Sequence, residues 1–363
     1  MALTQPPGPV VCSYNEWDPL EEVIVGRLDG QAEMSWEIPL YGFIPESDRA
    51  YNRERAFALG GRARAAPQEA VDELDEFVRV LVAEGVTVRR PDLVDNTRSY
   101  TTPDWTSPGG LAQTCPRDVM LVVGNEIIEA PMSWRSRYFE FRAYRRLVKE
   151  YFSLGAKWTA APKGQLSNEL YENFHGKPPT SGTFVTTEFE PVFDAADVVR
   201  CGKDLFAQRS HVTNESGIEW LSRHLAPTYN VHRVEFDDHR AVHIDATWMP
   251  LAPGKVLINT DRPIKNLPAC FEKSGWDFLT PPRTTWPASD PYQWQYQWLL
   301  LNVLMLDEER VIVEKHEEPL ILAMRDWGFK PIPVPFRNCF RFGGGFHCFT
   351  CDIRRRGTLR SYF

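Results

Sequence analysis

The chain has 363 residues, 43% of them hydrophobic, and carries 41 basic against 49 acidic side chains for a formal net charge of −8. That length suits two average domains or one large repetitive one, and the apolar share is enough to bury a core. The acidic balance argues against a general binder of nucleic-acid phosphates, which would present a basic face.

The arginine run at 354–356 reads as a solvated or carboxylate-paired surface, and the longest apolar run, WLLLNVLML at 298–306, is too short to cross a bilayer. Seven cysteines, odd in number and irregular in spacing, argue against a disulfide framework and for a reducing compartment. The start, MALTQPPGPVV, shows neither a secretory signal nor a transit peptide. The expectation is a cytoplasmic protein without a membrane segment, with residues 1–15 as an irregular arm.

In chain order, LEEVIVGRL (20–28) reads as a strand. Residues 29–67 hold Pro, Gly and aromatics without a clear period, as either a functional lid or a disordered loop. In 68–85, Val71, Leu74, Phe77, Val78 and Leu81 recur at the spacing of an amphipathic helix, and VTVRRP closes the unit at Pro91. Four hairpins follow. They lie at 119–131, 193–210, 243–262 and 302–315, turning at Gly124-Asn125, Gly202-Lys203, Pro253-Gly254 and Asp307-Glu308. Each leads into a helical stretch and then a short strand ending near proline, at residues 162, 236, 282 and 336. Between the first two hairpins, 163–184 is polar and turn-rich, a second lid or disordered loop.

The last segment, FHCFTCDIRR, is a strand without a unit, and LEEVIVGRL is a unit without a hairpin partner. Pairing them gives five strand-strand-helix-strand units around one axis. The predicted fold is therefore an α/β, five-bladed propeller closed by the C-terminal strand, with residues 1–363 as one domain and no exposed edge in the array.

Equivalent positions of such a ring converge at one end of its axis. Asp118, Asp194, His243 and Asp245 stand just before hairpin strands, and Cys348 joins them by closure. His243 and Asp245, two apart on a predicted strand, face one side. Buried charges need partners, and a cysteine beside a histidine is the arrangement of covalent catalysis. Added carboxylates suit a cationic substrate, since two of them can grip a planar guanidinium. Other readings stand beside this one. Asp118 and Asp194 could be turn residues, His243 a structural histidine, and Cys348 with Cys351 half a zinc site or a redox pair. No second C-x-x-C exists, however, and the residues after Cys351 are strand-like. The glycines at 343–345 allow close ligand approach or simply a flexible turn.

The blocks YNEWDPLEEVIVG, GVTVRRP, VVGNEIIEAPMSWRSR, GAKWTAAPK, FVTTEFEPVFDAAD, FAQRSHVTN, HIDAT, NTDRP, LNVLMLDEERV, GGGFHC and RRRGTL carry a resemblance to the arginine:glycine amidinotransferase family across nearly the whole chain. The resemblance implies a five-bladed α/β propeller that moves the amidino group of L-arginine through an amidino-cysteine to an amine, releasing ornithine. It implies Cys348 as nucleophile, His243 as general acid and base, and Asp194 as the group that orients His243. Asp118 and Asp245 would grip the guanidinium, and Arg262 would hold the donor carboxylate. It implies a homodimer and no metal or organic cofactor. An arginine deiminase-like hydrolase on the same fold is the competing activity.

Two places depart from the family pattern. Gln295 and Tyr296, in Gln295-Tyr296-Gln297-Trp298, stand where glycine-type members have Ser-Ser-Lys-Trp, and they would serve the donor's α-amino and carboxylate end. Arg240-Ala241-Val242 stands where those members have Asn-Pro-Met. With Arg240 and Val242 at the mouth, the acceptor site is expected to be roomier or differently charged. It would suit glycine or a longer amine such as lysine or ornithine, in specialised-metabolite or toxin biosynthesis.

Overall fold

Apolar runs interrupted by two polar residues have little choice but to double back. Three of the expected hairpins do so at the expected turns: Met120–Val123 with Glu126–Glu129, Val198–Cys201 with Asp204–Gln208, and Trp248–Ala252 with Lys255–Ile258, all antiparallel. Gly202 shows why glycine sits there: its φ is 73°, and a Cβ would lie 2.0 Å from the Arg360 carbonyl oxygen. The fourth hairpin, Leu304–Met305 with Arg310–Glu314, has a wider turn. Asp307 Oδ1 holds it by accepting from the backbone N–H groups of Glu309 and Arg310 at 3.0 and 2.8 Å.

The computed structural model describes residues 8–172, 180, 182–290 and 297–363. Among them, each hairpin's second strand pairs in parallel with a third strand that follows a helix. These third strands are Lys157–Ala160, Asn230–Phe236, Asp277–Leu279 and Lys330–Val334. The fifth such sheet joins the chain ends: Thr350–Arg355 runs antiparallel to Leu20–Val25, Ile24 opposite Cys351, and Leu20–Val25 runs parallel to Thr87–Arg89. Ile264–Asn266 adds a fourth strand to the second hairpin's sheet, antiparallel to Asn230–Phe236. The class is α/β, built of separate small sheets; among the described residues no strand order closes on itself.

Helix Gln68–Ala83 buries Ala70, Leu74, Phe77 and Leu81, one stripe at helical period, with Val71 and Val78 half-buried beside it. The segment 29–67 departs from the aperiodic reading, for it contains the helices Pro39–Phe43 and Glu46–Leu59. The second buries none of its residues, so its sequence carries no apolar stripe from which to read it. In 163–184 the described part makes a 3-10 turn, Asn168–Leu170, with Leu166, Leu170 and Tyr171 buried; residues 173–179 and 181 lie outside the described residues. Residues 10–15 form no strand but lie across three sheets, with bridges from Cys12 to Arg354, Ser13 to Gly124 and Asn15 to Cys201.

The first strands of successive units lie side by side, Thr350–Arg355 against Met120–Val123 and Val198–Cys201 against Trp248–Ala252. Between them runs a buried ionic network. Asp352 accepts from Arg117 (2.6 Å), Arg200 (2.8 Å) and Arg355 (2.7 Å). Arg200 also binds Glu16 and donates to the carbonyl of Val122, and Arg355 donates to the carbonyl of Met305. Burial alone would raise the Asp352 carboxyl, but Arg117, Arg355 and Arg200 outweigh it and hold the group well below the usual range. A depressed carboxylate stabilises the fold above its unfolded value and stops doing so as pH falls through its folded value. Asp352→Asn should therefore cost about 3–5 kcal/mol in urea unfolding at neutral pH, because it strands buried arginines. Its stability should also vary less with pH below about 4 than that of the unaltered protein.

Candidate active site

Each first strand is approached through a tight turn, and the turns carry the chemistry. Asp118 lies in the short helix Pro116–Val119, Asp194 caps the 3-10 turn Ala195–Asp197, and His243 caps Ile244–Ala246. Asn302 and Cys348 each stand two residues before their strands. His243 and Asp245 are thus not on a strand, as their spacing suggested. Residues 243–247 coil instead, with Thr247 N–H donating to the Ile244 carbonyl at 2.8 Å, and the strand starts only at Trp248. His243 has φ +48°, a backbone state that a non-glycine residue holds only when its surroundings enforce it.

The turns open on a cavity of about 600 Å³, lined by Asp118, Arg137, Glu140, His243, Asp245 and Cys348. The apolar side chains of Leu40, Phe43, Ile44, Trp134 and Val242 form a further wall, and Asp48, Asn52 and Arg55 of helix Glu46–Leu59 overlook the mouth. Reactive atoms of Asp118, His243 and Cys348 lie within 4.8 Å of one another. That spacing would also let the three hold a metal ion.

His243 Nε2 is 3.0 Å from Asp194 Oδ2, and its Nδ1 is 3.7 Å from Asp118 Oδ1. Trp134 Nε1 donates to the same Asp194 oxygen at 3.1 Å, and the Asp194 N–H donates to Thr213 Oγ1 at 3.1 Å. Burial opposes a charged ring, but Asp118, then Asp194 and Asp197, outweigh it and lift His243 to about 10. At neutral pH the ring is an imidazolium between Asp118 and Asp194.

Cys348 is fixed through its backbone: its N–H and that of Gly345 both donate to Asn302 Oδ1, at 2.9 and 3.1 Å. Its Sγ is 3.6 Å from Asp245 Oδ2. Burial, and after it the charges of Asp245 and Asp118, push the thiol well above its ordinary range. His347 Nδ1 binds Asp245 Oδ2 at 2.7 Å, and its Nε2 is 3.2 Å from Glu16. Burial raises Asp245, but the His347 hydrogen bond and charge win and hold it low, as the carboxylate. Arg137 donates to Asp118 Oδ2 at 2.9 Å and to Glu140 at 2.8 Å.

Five of the sequence candidates thus meet: Cys348, His243, Asp194, Asp118 and Asp245. Val242 lines the cavity wall. Arg262 does not line it. It is buried with its guanidinium 3.5 Å from the Trp298 ring centroid, Nη1 donates to Thr247 Oγ1 at 2.7 Å, and Nε is 2.9 Å from Asp238. Arg240 stacks on the same indole at 4.5 Å, its N–H bound to Asp238 Oδ1 at 2.8 Å. Gln295 and Tyr296 lie outside the described residues. Cys351 is buried with Sγ 3.6 Å from the Met120 carbonyl and does not line the cavity, so it joins Cys348 in neither a zinc half-site nor a redox pair here. Asn302, His347, Arg137 and Glu140 went unassigned in the sequence. Asn302 was findable, because it holds the same place before its strand as Asp118 and Cys348 hold before theirs.

No protein-family model matches the chain. It is 50% identical over 358 residues to the L-arginine:L-lysine amidinotransferase of Pseudomonas savastanoi pv. phaseolicola, covering 97% of this chain and 96% of the relative. It is 48% identical over 365 residues to the mitochondrial glycine amidinotransferase of Xenopus laevis, covering 97% and 85%. The solved structure of SxtG, an amidinotransferase from Microseira wollei in the saxitoxin biosynthetic pathway, superposes with a TM-score of 0.90 at 51% identity, covering 97% of this chain and 99% of that one. The chain belongs to the amidinotransferase family.

Asp118 raises both His243 and Cys348, so Asp118→Asn should lower both. The imidazole titration, followed by NMR, should move down from about 10. Alkylation of Cys348 at neutral pH, read on its own peptide by mass spectrometry, should accelerate at least about threefold.

Proposed function

We propose that this amidinotransferase takes the amidino group of L-arginine onto Cys348 and passes it to a primary amine. The observation that carries this reading is the pair of buried carboxylates flanking the thiol. Asp118 Oδ1 and Asp245 Oδ1 have no hydrogen-bond donor among the described residues, and a guanidinium would supply donors to both. Its positive charge also cancels the two charges that hold the thiol protonated, so binding and activation coincide.

The thiol's proton leaves to Asp245, and the sulfur adds to the guanidinium carbon. The C–N bond to the substrate's side chain breaks as the His243 imidazolium gives its proton to the departing nitrogen, releasing ornithine and leaving a cationic amidino-cysteine. Asp194 keeps the ring turned. An acceptor amine then adds to the amidino carbon and loses a proton to His243, and the C–S bond breaks as the proton on Asp245 returns to the sulfur, restoring thiol, carboxylate and imidazolium. Nothing in this sequence calls on a metal or organic cofactor. The competing hydrolase would differ only in admitting water at the second step.

The relatives bearing lysine and glycine in their names are close enough to propose either kind of amine as acceptor. Val242, smaller than methionine, favours the longer one. The likeness to SxtG supports a place in specialised-metabolite or toxin biosynthesis. Arg262 would hold the donor's carboxylate once Trp298 moves off its face, Arg240 would flank the mouth, and Gln295 and Tyr296 would serve the same end of the donor. We further infer that the five sheets stand as propeller blades around the Asp352 network, that residues 1–363 act as one catalytic domain, and that the enzyme is a cytoplasmic homodimer without nucleic-acid or membrane partners. Among the described residues no helix is long and apolar enough to cross a membrane.

Incubation with arginine alone should give at most one ornithine per chain and an amidino adduct on Cys348, with sustained ornithine release only after an amine is added. Steady citrulline formation from arginine alone would overturn the transferase reading for this site. Cys348→Ser should lower transfer at least about a thousandfold. Because His243 must be protonated to release ornithine, the first half-reaction should fall away as pH rises through about 10.

A further inference from the structure

His211 is a buried histidine that the mechanism does not use. Its backbone N–H donates to the Ala241 carbonyl at 3.0 Å, and its ring Nε2 is 2.9 Å from the His239 carbonyl. The Val185 N–H donates to Nδ1 at 3.2 Å. Since Nδ1 accepts, Nε2 carries the ring proton and donates to His239. The residue thus grips two alternate carbonyls of the loop that ends in Val242 and His243.

The ring also packs against the helix that carries Gly42. Gly42 lies so close that a Cβ there would stand 2.3 Å from His211 Cγ. Gly42 belongs to the helix Pro39–Phe43, whose Leu40 and Phe43 line the cavity, and the Phe43 ring packs on Trp134 at 5.7 Å. The imidazole is therefore a spacer between this helix and the 239–242 loop, tied to the loop by hydrogen bonds and to the helix by direct contact. A residue at φ +48° needs its flanks fixed, and the residues before His243 are fixed by these two bonds and by Asp238.

We infer that His211 is a positioning residue for amidino transfer, holding the 239–242 loop against the Gly42 helix so that His243 keeps its aim at the reacting carbon. Burial lowers its pKa to about 4, so the ring stays neutral, as both bonds require. The inference rests on His243 as the acid and base.

Three variants test it, with rates expressed per Cys348 titrated by a thiol reagent. His211→Asn keeps an acceptor near the Nδ1 position and loses the donor to His239; His211→Gln keeps a donor near Nε2. Gly42→Ala alters neither the loop nor a cavity-lining residue but drives a methyl into the ring. His211→Asn and Gly42→Ala should each lower kcat about tenfold or more with KM for arginine nearly unchanged, and His211→Gln should recover most of the loss. A merely structural role would lower thermal stability and the titratable fraction, leaving kcat per titrated thiol at the unaltered value, and that result overturns the inference. If His211→Asn does not fold, Gly42→Ala decides by the same criterion. His243→Asn is measured alongside. Activity surviving there would remove the assignment of His243 itself. An inactive His243→Asn with fully active His211→Asn and Gly42→Ala would remove only the role of His211.

Discussion

One carboxylate with three arginines sets the centre of this molecule. Asp352 can be buried only because Arg117, Arg200 and Arg355 surround it, and those arginines in turn reach the backbone of Val122 and Met305 and the side chain of Glu16. Glu16 meets His347, and His347 meets Asp245. The chain of contacts touches the first strand, or its lead-in turn, in every one of the five sheets. Separate small sheets share no ladder of hydrogen bonds, so something else must fix their relative places. Hydrophobic contact is non-directional and would tolerate sliding. Charged, directional contacts in a low-dielectric interior do not, because a shift of an ångström or two strands a charge. That such a network buys uniqueness of arrangement more than net stability is a hypothesis for this chain, and the Asp352 variant bears on it.

The carboxylates beside the thiol are themselves partnered. His347 is spent on Asp245 and Glu16, and Arg137 is spent on Glu140 and one oxygen of Asp118. Of these two partners Arg137 itself lines the cavity, whereas His347 is buried against Asp245 outside the lining. Such surroundings keep the Cys348 thiol protonated, and a protonated thiol is slow to be modified. With Asp118 on one side and Asp194 on the other, the His243 ring holds its proton, as the proposed acid role requires.

The secondary structure was legible wherever a local rule governs it. The turns at Gly124, Gly202 and Gly254, the stripe of helix Gln68–Ala83 and the pairing of the two chain ends all follow from periodicity and turn chemistry. Helix Glu46–Leu59 was not legible, because it buries none of its residues and so needs no stripe. The strand expected at His243 and Asp245 was a reading of alternation, and a 3-10 turn puts the same two side chains into one cavity by another route. Asn302 was findable only by its place two residues before its strand, because its task is to hold two backbone N–H groups of a distant segment. Arg262 was expected at the donor's carboxylate, yet in this structure its guanidinium faces an indole, a contact decided by Trp298 from another unit of the chain.

From the residues alone came the repeat, the α/β class and the list of polar groups able to do thiol and imidazole chemistry, since each depends on spacing along one segment. Distances between segments do not. That Cys348 lies within reach of Asp245, that both nitrogens of His243 face Asp side chains, and that His211 packs between the 239–242 loop and the Gly42 helix all depend on tertiary contact. Folding brings residues as far apart as Glu16 and His347 into contact, and there Arg200 and His347 outweigh burial and hold the Glu16 carboxyl well below its usual range. Protonation states of the site are therefore products of tertiary structure, because desolvation and neighbouring charge act through space, not along the chain.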